Sequence, residues 1–532
     1  MMMPWKKRKL IRQLTGSFGK DPEKDYYAGD MDWIRTYFDL CRAEGRDPFY
    51  LDETTWKDLD LDRVYRQMNA CQSTAGEQYL YYMLRRPMDR EAFEDTNGLI
   101  RLQEERPDIR LKIQLLLNGL GYERALDLTS VFHPKGGSPF WLTVYILMNL
   151  ALFLSVLAIP VFGLQFVFIP VVLLVFNTFF HEYRRISCEG EIRRVNYCVA
   201  LALSLNRMRK WKIPELDRYL SGGYAHLDRM KPILRSGPVM SGLNSDPFQA
   251  AVLNMSEMDL IAFEILKRRL AKYHEHFLAV HEAVGRVDAA IAVASWRAGQ
   301  AARCVPEIDF GAEQPYIRAE GIRHPMLKDP VPNDLTLDRS LLITGSNASG
   351  KSTYLRSAML CALTAQTVCT CSCASYTGTP FRIYTSIDLS DDLLAGESYY
   401  IAEIRSIKRI LDEQRKDGFV LCALDEVLRG TNTIERIAAS AEILKALDRP
   451  GTLCLIATHD AELCALCGEG YRLAHFEETV SDTEIRFDYR LKDGPAETRN
   501  AIHLLKLMGF DDGIVSAAHR RADEYVKTGK WT

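Results

Sequence analysis

Apolar residues near the start of the chain recur with the period of a helix. Leu61, Val64 and Met68 follow one another at intervals of three or four residues, and this spacing continues toward residue 130. A second stretch, from Leu260 to Ala302, mixes Ala, Leu and Val with Glu and Arg in the pattern of one or two amphipathic helices. These patterns predict that the N-terminal half of the protein is all-helical.

The pattern changes at about Val305. From there to about Asp488, short runs of β-branched residues alternate with helical stretches and glycine-rich turns. Strands that alternate with helices favour an α/β domain with a mainly parallel sheet.

A long apolar stretch interrupts the helical region. No Asp, Glu, Lys or Arg occurs from Gly136 to Phe180. One membrane-spanning helix needs about 20 apolar residues, so this stretch has room for two. Pro160 and Gly163 near its middle are typical of a tight turn. We therefore predict a transmembrane hairpin with helices at about 140–159 and 164–180.

Basic residues flank both ends of this stretch. Lys135 precedes it, and Arg184 and Arg185 follow it, which places both flanks on the cytoplasmic side. The prediction is a multi-pass protein of the cell membrane with two spans and with both termini and the C-terminal α/β domain in the cytoplasm. The alternative is a buried helical pair in a soluble protein, although such core helices rarely run this long without a charge.

Composition narrows the class of protein. A chain of 532 residues is too long for one core, so two to four domains are expected. The formal net charge of −3 gives no global attraction to nucleic acid, and DNA contact would need a local basic face. Thirteen scattered cysteines favour reduced intracellular thiols over a disulfide framework. No apolar segment follows the basic residues 6–9, so we expect no signal peptide.

A strand, a glycine-rich loop and a helix are predicted in succession around residue 345. The apolar run 341–344 precedes the string G-x-x-x-x-G-K-S, and a helix is predicted over 353–363. Backbone amides of such a loop surround phosphate oxygens, the lysine reaches the β- and γ-phosphates, and the serine hydroxyl binds Mg²⁺. The predicted nucleotide-binding residues here are Gly345, Ser346, Asn347, Ala348, Ser349, Gly350, Lys351, Ser352 and Thr353.

Two further apolar strands end in polar residues. The run 419–424 leads to Asp425 and Glu426, at the end of a strand where ligands bind in such sheets. We predict that Asp425, with Ser352, holds Mg²⁺, and that Glu426 activates the attacking water. A third strand leads to His459, which is placed to contact the γ-phosphate or the water. Glu426, His459 and Lys351 are the predicted catalytic residues.

These strings resemble the MutS family. The resemblance rests on residues 344–356, 425–433 and 457–459, with a further match at Gly321–Pro325 and weaker similarity over 56–130 and 186–305. The family comprises DNA mismatch-repair ATPases with an ABC-type nucleotide fold. The resemblance therefore implies ATP and Mg²⁺ as cofactors, hydrolysis of ATP, a homodimer and contact with DNA.

The resemblance also assigns roles to particular residues. Ser398 would reach the partner's γ-phosphate across the dimer, and Asn333 lies in the stretch expected near the adenine. The chain has no Gly-x-Phe-x-Glu string, the element that reads mismatches in the family. We therefore expect a membrane-anchored MutS-related ATPase without the mismatch-recognition domain. The competing hypothesis is an ABC-like membrane-protein machine or transporter-associated ATPase with no DNA role.

The expected fold class is an α/β P-loop (ABC-type) ATPase domain preceded by an all-α core and lever region that a transmembrane helical hairpin interrupts. The predicted boundaries are 1–55 for an N-terminal polar segment, 56–135 for the first helical core segment, 136–181 for the hairpin, 182–305 for the second core and lever segment, 306–495 for the ATPase domain and 496–532 for a C-terminal helical dimerisation element.

Three cysteines alternate after the predicted P-loop helix. On a strand, Cys369, Cys371 and Cys373 would share one face. A metal or redox role stays open, but no C-x-x-C pair or histidine cluster accompanies them. A buried strand with small side chains is the favoured interpretation.

Overall fold

The computed structural model describes residues 4–124, 126, 138–235, 257–346, 349–387, 399–480, 485–496, 502, 505–506 and 508–528. The helices are α1 Pro4–Gly16, α2 Asp30–Ile34, α3 Thr36–Ala43, α4 Glu53–Asp58, α5 Leu61–Met68, α6 Thr74–Leu84, α7 Arg90–Glu105, α8 Pro107–Leu120, α9 Pro139–Phe162, α10 Phe168–Lys210, α11 Pro214–Arg229, α12 Met258–Lys272, α13 His274–Gly299, α14 Lys351–Val368, α15 Tyr399–Glu413, α16 Thr433–Leu447, α17 Ala461–Cys467 and α18 Asp512–Thr528. The strands are β1 Glu307–Ile308, β2 Ile317–Ile322, β3 Asn333–Leu337, β4 Leu341–Thr344, β5 Ser375–Gly378, β6 Arg382–Ser386, β7 Val420–Asp425, β8 Thr452–Thr458, β9 Arg472–His475, β10 Glu478–Val480, β11 Ile485–Phe487 and β12 Lys492–Asp493.

Two compact units make up the chain. Unit 1 consists of Met1–Pro48, Arg66–Met83 and Glu94–Gly299, and unit 2 consists of Phe49–Tyr65, Leu84–Phe93 and Gln300–Thr532. All the described strands belong to unit 2, and β1 begins at Glu307. The predicted change from helices to alternating strands and helices at about Val305 is therefore confirmed.

Unit 1 is built from helices in close contact. A Cβ on Gly285 of α13 would lie 2.5 Å from the carbonyl oxygen of Ala75 in α6, so only glycine permits this approach. Asp288, one turn further along α13, is buried and accepts hydrogen bonds from Ser73 Oγ at 2.6 Å and from the Gln72 amide at 3.0 Å. These bonds satisfy a carboxylate that would otherwise be costly to bury.

The apolar stretch forms two helices of very different length. Both α9 and the segment Leu164–Lys210 are long and apolar enough to cross a membrane, by length and composition only. Their most apolar windows are 6% and 17% buried, so the part of the chain that the structure describes leaves them largely exposed. The turn lies at Gly163, whose φ of 94° is left-handed. Residues 164–167 form one 3₁₀ turn before α10 begins.

Two details of the predicted hairpin are wrong. Pro160 lies inside α9 rather than in the turn. The second helix does not end at Phe180 but continues to Lys210, and its later half is buried in unit 1 through Val195, Cys198 and Leu205. The helix continues past Phe180 because the polar residues there include no helix-breaking residue. The loss of apolar character at this point therefore marks a change in the environment of the helix and not its end.

The main sheet of unit 2 has six strands in the order β12-β9-β4-β8-β7-β6. All neighbours are parallel except β12 and β9, so the prediction of a mainly parallel sheet is confirmed for this sheet. Strands β4, β7 and β8 are buried along their whole length, as strands covered on both faces are. A second sheet has the order β1-β5-β2-β3 and mixes parallel and antiparallel pairs.

The predicted strand with three cysteines on one face is wrong. Cys369 terminates α14 in a left-handed conformation with φ 50°. Cys371 pairs with Cys304 in an isolated antiparallel bridge, and β5 begins only at Ser375. The reversal at the end of the helix removes the alternation that a strand would have imposed.

Candidate functional site

The glycine-rich loop joins β4, a central strand of the main sheet, to α14. The strand and the helix confirm the predicted elements, although the helix begins at Lys351, two residues earlier than predicted. A Cβ on Gly345 would lie 2.7 Å from the carbonyl oxygen of Phe476, and Gly350 caps the helix with φ 104°. Both positions therefore require glycine. Asn347 and Ala348 lie outside the described residues.

Lys351 is buried at the start of α14. Its Nζ donates to the carbonyl oxygens of Gly345 at 2.7 Å and Ser346 at 2.8 Å. Burial lowers the pKa of this ammonium group, and the nearby carboxylates of Glu426 and Asp425 oppose that shift. The lysine side chain therefore lies along the inside of the loop, where the phosphate groups of a nucleotide would bind.

Two serines of the loop have distinct surroundings. Ser346 Oγ donates to Glu478 Oε2 at 2.9 Å, and Glu478 belongs to β10. Ser349 Oγ is buried and has no hydrogen-bond partner among the described residues. Sequence reasoning missed Glu478, because nothing local connects positions so far apart in the chain.

Asp425 lies at the carboxyl end of β7. It is buried, which raises its pKa, and a hydrogen bond with Ser352 opposes that shift. Its Oδ1 has no hydrogen-bond partner within the described ranges, and Arg429 Nη2 stands 3.9 Å away. A buried carboxylate oxygen beside a serine hydroxyl is a donor pair that suits Mg²⁺, which takes oxygen ligands.

Glu426 is held from two sides. Its Oε1 is 3.3 Å from His459 Nδ1, and its Oε2 is 2.8 Å from Arg429 Nε. The hydrogen bond with His459 and the charge of Arg429 lower the pKa of Glu426 against the effect of burial, and the same bond raises the pKa of His459. The backbone of Glu426 is left-handed, with φ 55°, and its amide donates to the Ala457 carbonyl oxygen at 2.8 Å. A non-glycine residue in this conformation is strained, and such strain clusters at functional sites.

A second carboxylate, Glu403 of α15, supports the turn after Glu426. It accepts hydrogen bonds from the backbone amides of Leu428 at 2.5 Å and Arg429 at 3.2 Å. Leu428 is also left-handed, with φ 60°. Glu403 thus fixes the turn that presents the Arg429 side chain. The string 425–433 was singled out from the sequence, but no role was assigned to Glu403, the carboxylate that holds its turn.

Asn333 has a structural partner. Its Nδ2 donates to the Tyr489 carbonyl oxygen at 2.9 Å, and its Oδ1 accepts from the Leu491 amide at 2.8 Å. The side chain therefore fixes the segment whose Tyr489 ring lies against Gly350, 3.1 Å from where a Cβ would stand. Contact of Asn333 with adenine stays a prediction. Ser398 lies outside the described residues.

Three features together define a P-loop nucleotide-binding domain: a buried parallel strand, a glycine-rich loop with its lysine on a helix N-terminus, and two carboxylates at the end of β7, the second strand along the same sheet. The family model described as "MutS domain V" matches residues 341–525, which include Lys351, Asp425, Glu426 and His459.

Relatives support the same family. The chain is 31% identical to "DNA mismatch repair protein MutS 2" of Halobacterium salinarum over 281 residues, which cover 50% of this chain and 31% of that protein. It is 32% identical to "DNA mismatch repair protein MutS" of Natronomonas pharaonis over 282 residues, covering 51% and 32%. A protein of the same name from Lactobacillus gasseri is 32% identical over 234 residues, covering 42% and 27%.

The chain is a MutS-family protein. The match spans about a third of the length of these curated relatives. The family assignment therefore rests on the P-loop domain and a portion of the region before it.

Proposed function

We propose that the protein binds ATP with Mg²⁺ and hydrolyses it, with Glu426 as the base that activates water. The observation that carries this proposal is the Glu426 carboxylate, kept ionised by His459 and Arg429 beside the phosphate-binding lysine. An ionised carboxylate can take a proton from water, whereas a protonated one cannot.

The other site residues would bind the phosphate groups and the Mg²⁺ ion. Lys351 would leave the loop carbonyls for the β- and γ-phosphates, and the amides of the loop would donate to phosphate oxygens. Ser352 and Asp425 would hold Mg²⁺ through the hydroxyl and the carboxylate Oδ1. Mg²⁺ supplies positive charge that offsets the charge of the phosphate oxygens.

We further propose that hydrolysis acts through a homodimer. Two P-loop domains would close on two ATP molecules, with Ser398 of each chain reaching the other's γ-phosphate. This step rests on family resemblance alone. Closure would then act as an ATP-driven switch that moves the helical unit. Other nucleotide-dependent switches likewise work by ordering a segment or by closing domains around the ligand.

DNA is the proposed client, since the relatives are named as DNA mismatch-repair proteins. Mismatch reading is not included in the proposal, because the sequence has no Gly-x-Phe-x-Glu string. DNA binding would have to come from local basic surface, since the net charge is −3.

We also propose that α9 and the beginning of α10 anchor the protein in the cell membrane. The support is that their apolar side chains are left uncovered: Phe153, Leu157 and Phe176 are each more than half exposed. Exposed apolar surface of this extent is costly in water. The same surface favours a second candidate function, an ABC-like membrane-protein machine or transporter-associated ATPase without a DNA role.

The ATPase rate of the full chain in detergent, with and without duplex or branched DNA over a salt series, separates these functions. Glu426→Gln should abolish turnover and keep ATP binding, and the matched control Glu442→Gln changes an exposed carboxylate of α16. Stimulation by DNA that weakens with salt would support the DNA client. Turnover that ignores all DNA would favour the membrane-protein client, and unchanged turnover in Glu426→Gln would refute the catalytic assignment.

Membrane anchoring has its own test. Cell membranes containing the full chain are washed with alkaline carbonate, which strips peripheral proteins. The protein should stay in the pellet, and Leu157→Arg combined with Phe176→Arg should weaken this retention, because charges are costly in the bilayer. Complete release of the unaltered chain would exclude the anchor.

A further inference from the structure

Three cysteine thiols of unit 2 lie together, and a fourth adjoins one of them. The Sγ atoms of Cys304, Cys371 and Cys373 all lie within 4.8 Å of one another, and Cys361 is not a member of that set. Cys304 Sγ is 3.5 Å from Cys373 Sγ, and Cys361 Sγ is 3.8 Å from Cys373 Sγ. The Cys371 thiol donates to the backbone carbonyl oxygen of Cys361 at 3.6 Å. These four residues are called the thiol cluster below.

Two of the separations match the edge of a metal-centred tetrahedron. Zinc binds thiolate sulfur at about 2.3 Å, so two sulfurs of a tetrahedral site stand about 3.8 Å apart. The distances from Cys373 Sγ to Cys304 Sγ and Cys361 Sγ, 3.5 and 3.8 Å, lie close to that value. The three sulfurs within 4.8 Å of one another are close enough to share one ion, and Cys361, beside Cys373, would turn toward that ion as the fourth ligand.

The cluster draws its members from three separate segments. Cys361 lies on α14, Cys371 and Cys373 follow that helix, and Cys304 precedes β1. Cys304 and Cys371 exchange both backbone hydrogen bonds, at 3.1 and 3.0 Å, which fixes two of the ligand positions. Cys361, Cys371 and Cys373 are buried, and Cys304 is partly exposed. A site of this kind is closed by protein and has one edge through which an ion can enter.

A second pair of cysteines provides an internal contrast. Cys422 Sγ and Cys454 Sγ lie 3.1 Å apart on adjacent strands, in the register of a directly paired position. Among the described residues no third metal-ligating side chain joins them in a cluster. Two thiols can therefore lie close together simply because their strands pair. The thiol cluster, by contrast, forms only where a helix, a backbone bridge and a loop come together.

We propose that Cys304, Cys361, Cys371 and Cys373 bind one Zn²⁺ in a structural tetrathiolate site. Soft sulfur ligands in a tetrahedral arrangement select zinc among the common cellular metals of this geometry. Each thiol gives up its proton to solvent when it binds, so four protons leave and the site carries a net charge of −2. No oxidant or reductant is needed.

The site would fasten the second half of the P-loop helix to the edge of the four-stranded sheet. It does not depend on the proposed hydrolysis of ATP.

Metal content of the purified full chain tests the proposal. The protein is prepared without a metal-affinity column and without chelator, and its metals are measured by mass spectrometry. The expected result is about one zinc per chain. Cys371→Ser and Cys373→Ser should lose it, whereas Cys369→Ser should keep it, because the Cys369 thiol contacts the Phe93 carbonyl oxygen at 3.7 Å instead.

Two measurements on the unaltered chain guard against variants that fail to fold. Cobalt exchanged into the site should give intense sulfur-to-cobalt absorption and the visible bands of a tetrahedral ion. Alkylation mapped by mass spectrometry should reach the partly exposed Cys304 only after a chelator has removed zinc. Absence of zinc with no cobalt spectrum would overturn the proposal. So would iron in its place, a Cys304–Cys373 disulfide, or zinc retained in both ligand variants.

Discussion

His459 Nδ1 lies 3.3 Å from Glu426 Oε1, so the residues that follow two neighbouring parallel strands share one hydrogen bond at the nucleotide site. The bond favours the ionised form of both partners, lowering the pKa of Glu426 and raising that of His459. Under the proposed hydrolysis, the histidine would act on catalysis through the charge of the glutamate, and the pair should affect both the rate and the stability of the protein.

Replacing His459 should move the acid limb of the ATPase profile. In His459→Gln the pKa of Glu426 should rise, because its largest stabilising partner is weakened. The rate constant kcat should then begin to fall at a higher pH than in the unaltered protein. The measurement is kcat from about pH 4.5 to 8 at saturating ATP. His519→Gln, at an exposed position of α18, is the matched control; an unmoved acid limb in His459→Gln would contradict the role.

The same pair should make stability depend on pH. Because the pKa of His459 is raised in the folded state, its contribution to stability is complete below its unfolded pKa of about 6.5. That contribution is lost as the pH rises through the folded pKa. The lowered pKa of Glu426 means that its contribution is lost as pH falls. The melting temperature difference between His459→Gln and the unaltered chain should therefore be largest near about pH 5.5 and smallest near about pH 8. Because His459 is 43% exposed, the pair is worth only about 0.5 kcal/mol.

Lys351 should be indispensable for nucleotide binding. Lys351→Ala removes the ammonium group that would contact the β- and γ-phosphates, and charge-assisted bonds of this kind contribute about 1.5–3 kcal/mol each. Titration calorimetry with ATP should show Kd raised by about 100-fold. Lys445→Ala, at an exposed lysine of α16 in the same unit, is the control and should bind ATP normally. Equal affinity in both variants would exclude the assigned site.

Two adjacent glycines of α11 should respond in opposite directions to alanine. A Cβ on Gly222 meets nothing within 4 Å, so Gly222→Ala should stabilise the helix by about 0.5–1 kcal/mol. A Cβ on Gly223 would lie 2.6 Å from Ala283 Cβ and 3.2 Å from Leu205 Cδ2. Gly223→Ala should therefore destabilise unit 1 by about 1–3 kcal/mol.

Thermal unfolding of the two variants, followed by intrinsic fluorescence, measures the contrast. Each serves as the other's control, since the chemical change is identical. A lower melting temperature for Gly222→Ala would mean that this face of α11 is not open. An unchanged one for Gly223→Ala would mean that α11 does not approach Ala283 of α13 as described.

Local signals in the sequence predicted several elements of the site. β4, its loop and α14 were predictable because an apolar run, a glycine pattern and a helix start follow one another, and β7 because an apolar run ends in two carboxylates. The partners Glu403 and Glu478 were not, since their contacts depend on how distant segments pack. The roles assigned to individual site residues stay predictions.

The errors have the same origin. Alternating cysteines indicate a shared face only on a strand, and the left-handed turn at Cys369 is set by the end of a helix. The cluster that forms instead brings Cys304 beside Cys371 and Cys373, although no spacing rule connects it to them. Hydropathy likewise located the apolar stretch but could not show where α10 ends, because hydropathy reports surroundings and not backbone conformation.

Helix α10 has a consequence for how length can vary in this protein. Its 43 residues form one rod of roughly 65 Å, apolar and uncovered at the beginning and packed into unit 1 at the end. Under the proposed anchoring, one inserted residue between about 181 and 194 would rotate the two ends by about 100° relative to each other. The side that would face lipid and the side that packs into unit 1 are therefore fixed in rotation relative to each other. The exposed positions of this stretch should tolerate substitution far better than insertion or deletion, whereas His181, which is buried against Asp259, should not tolerate either.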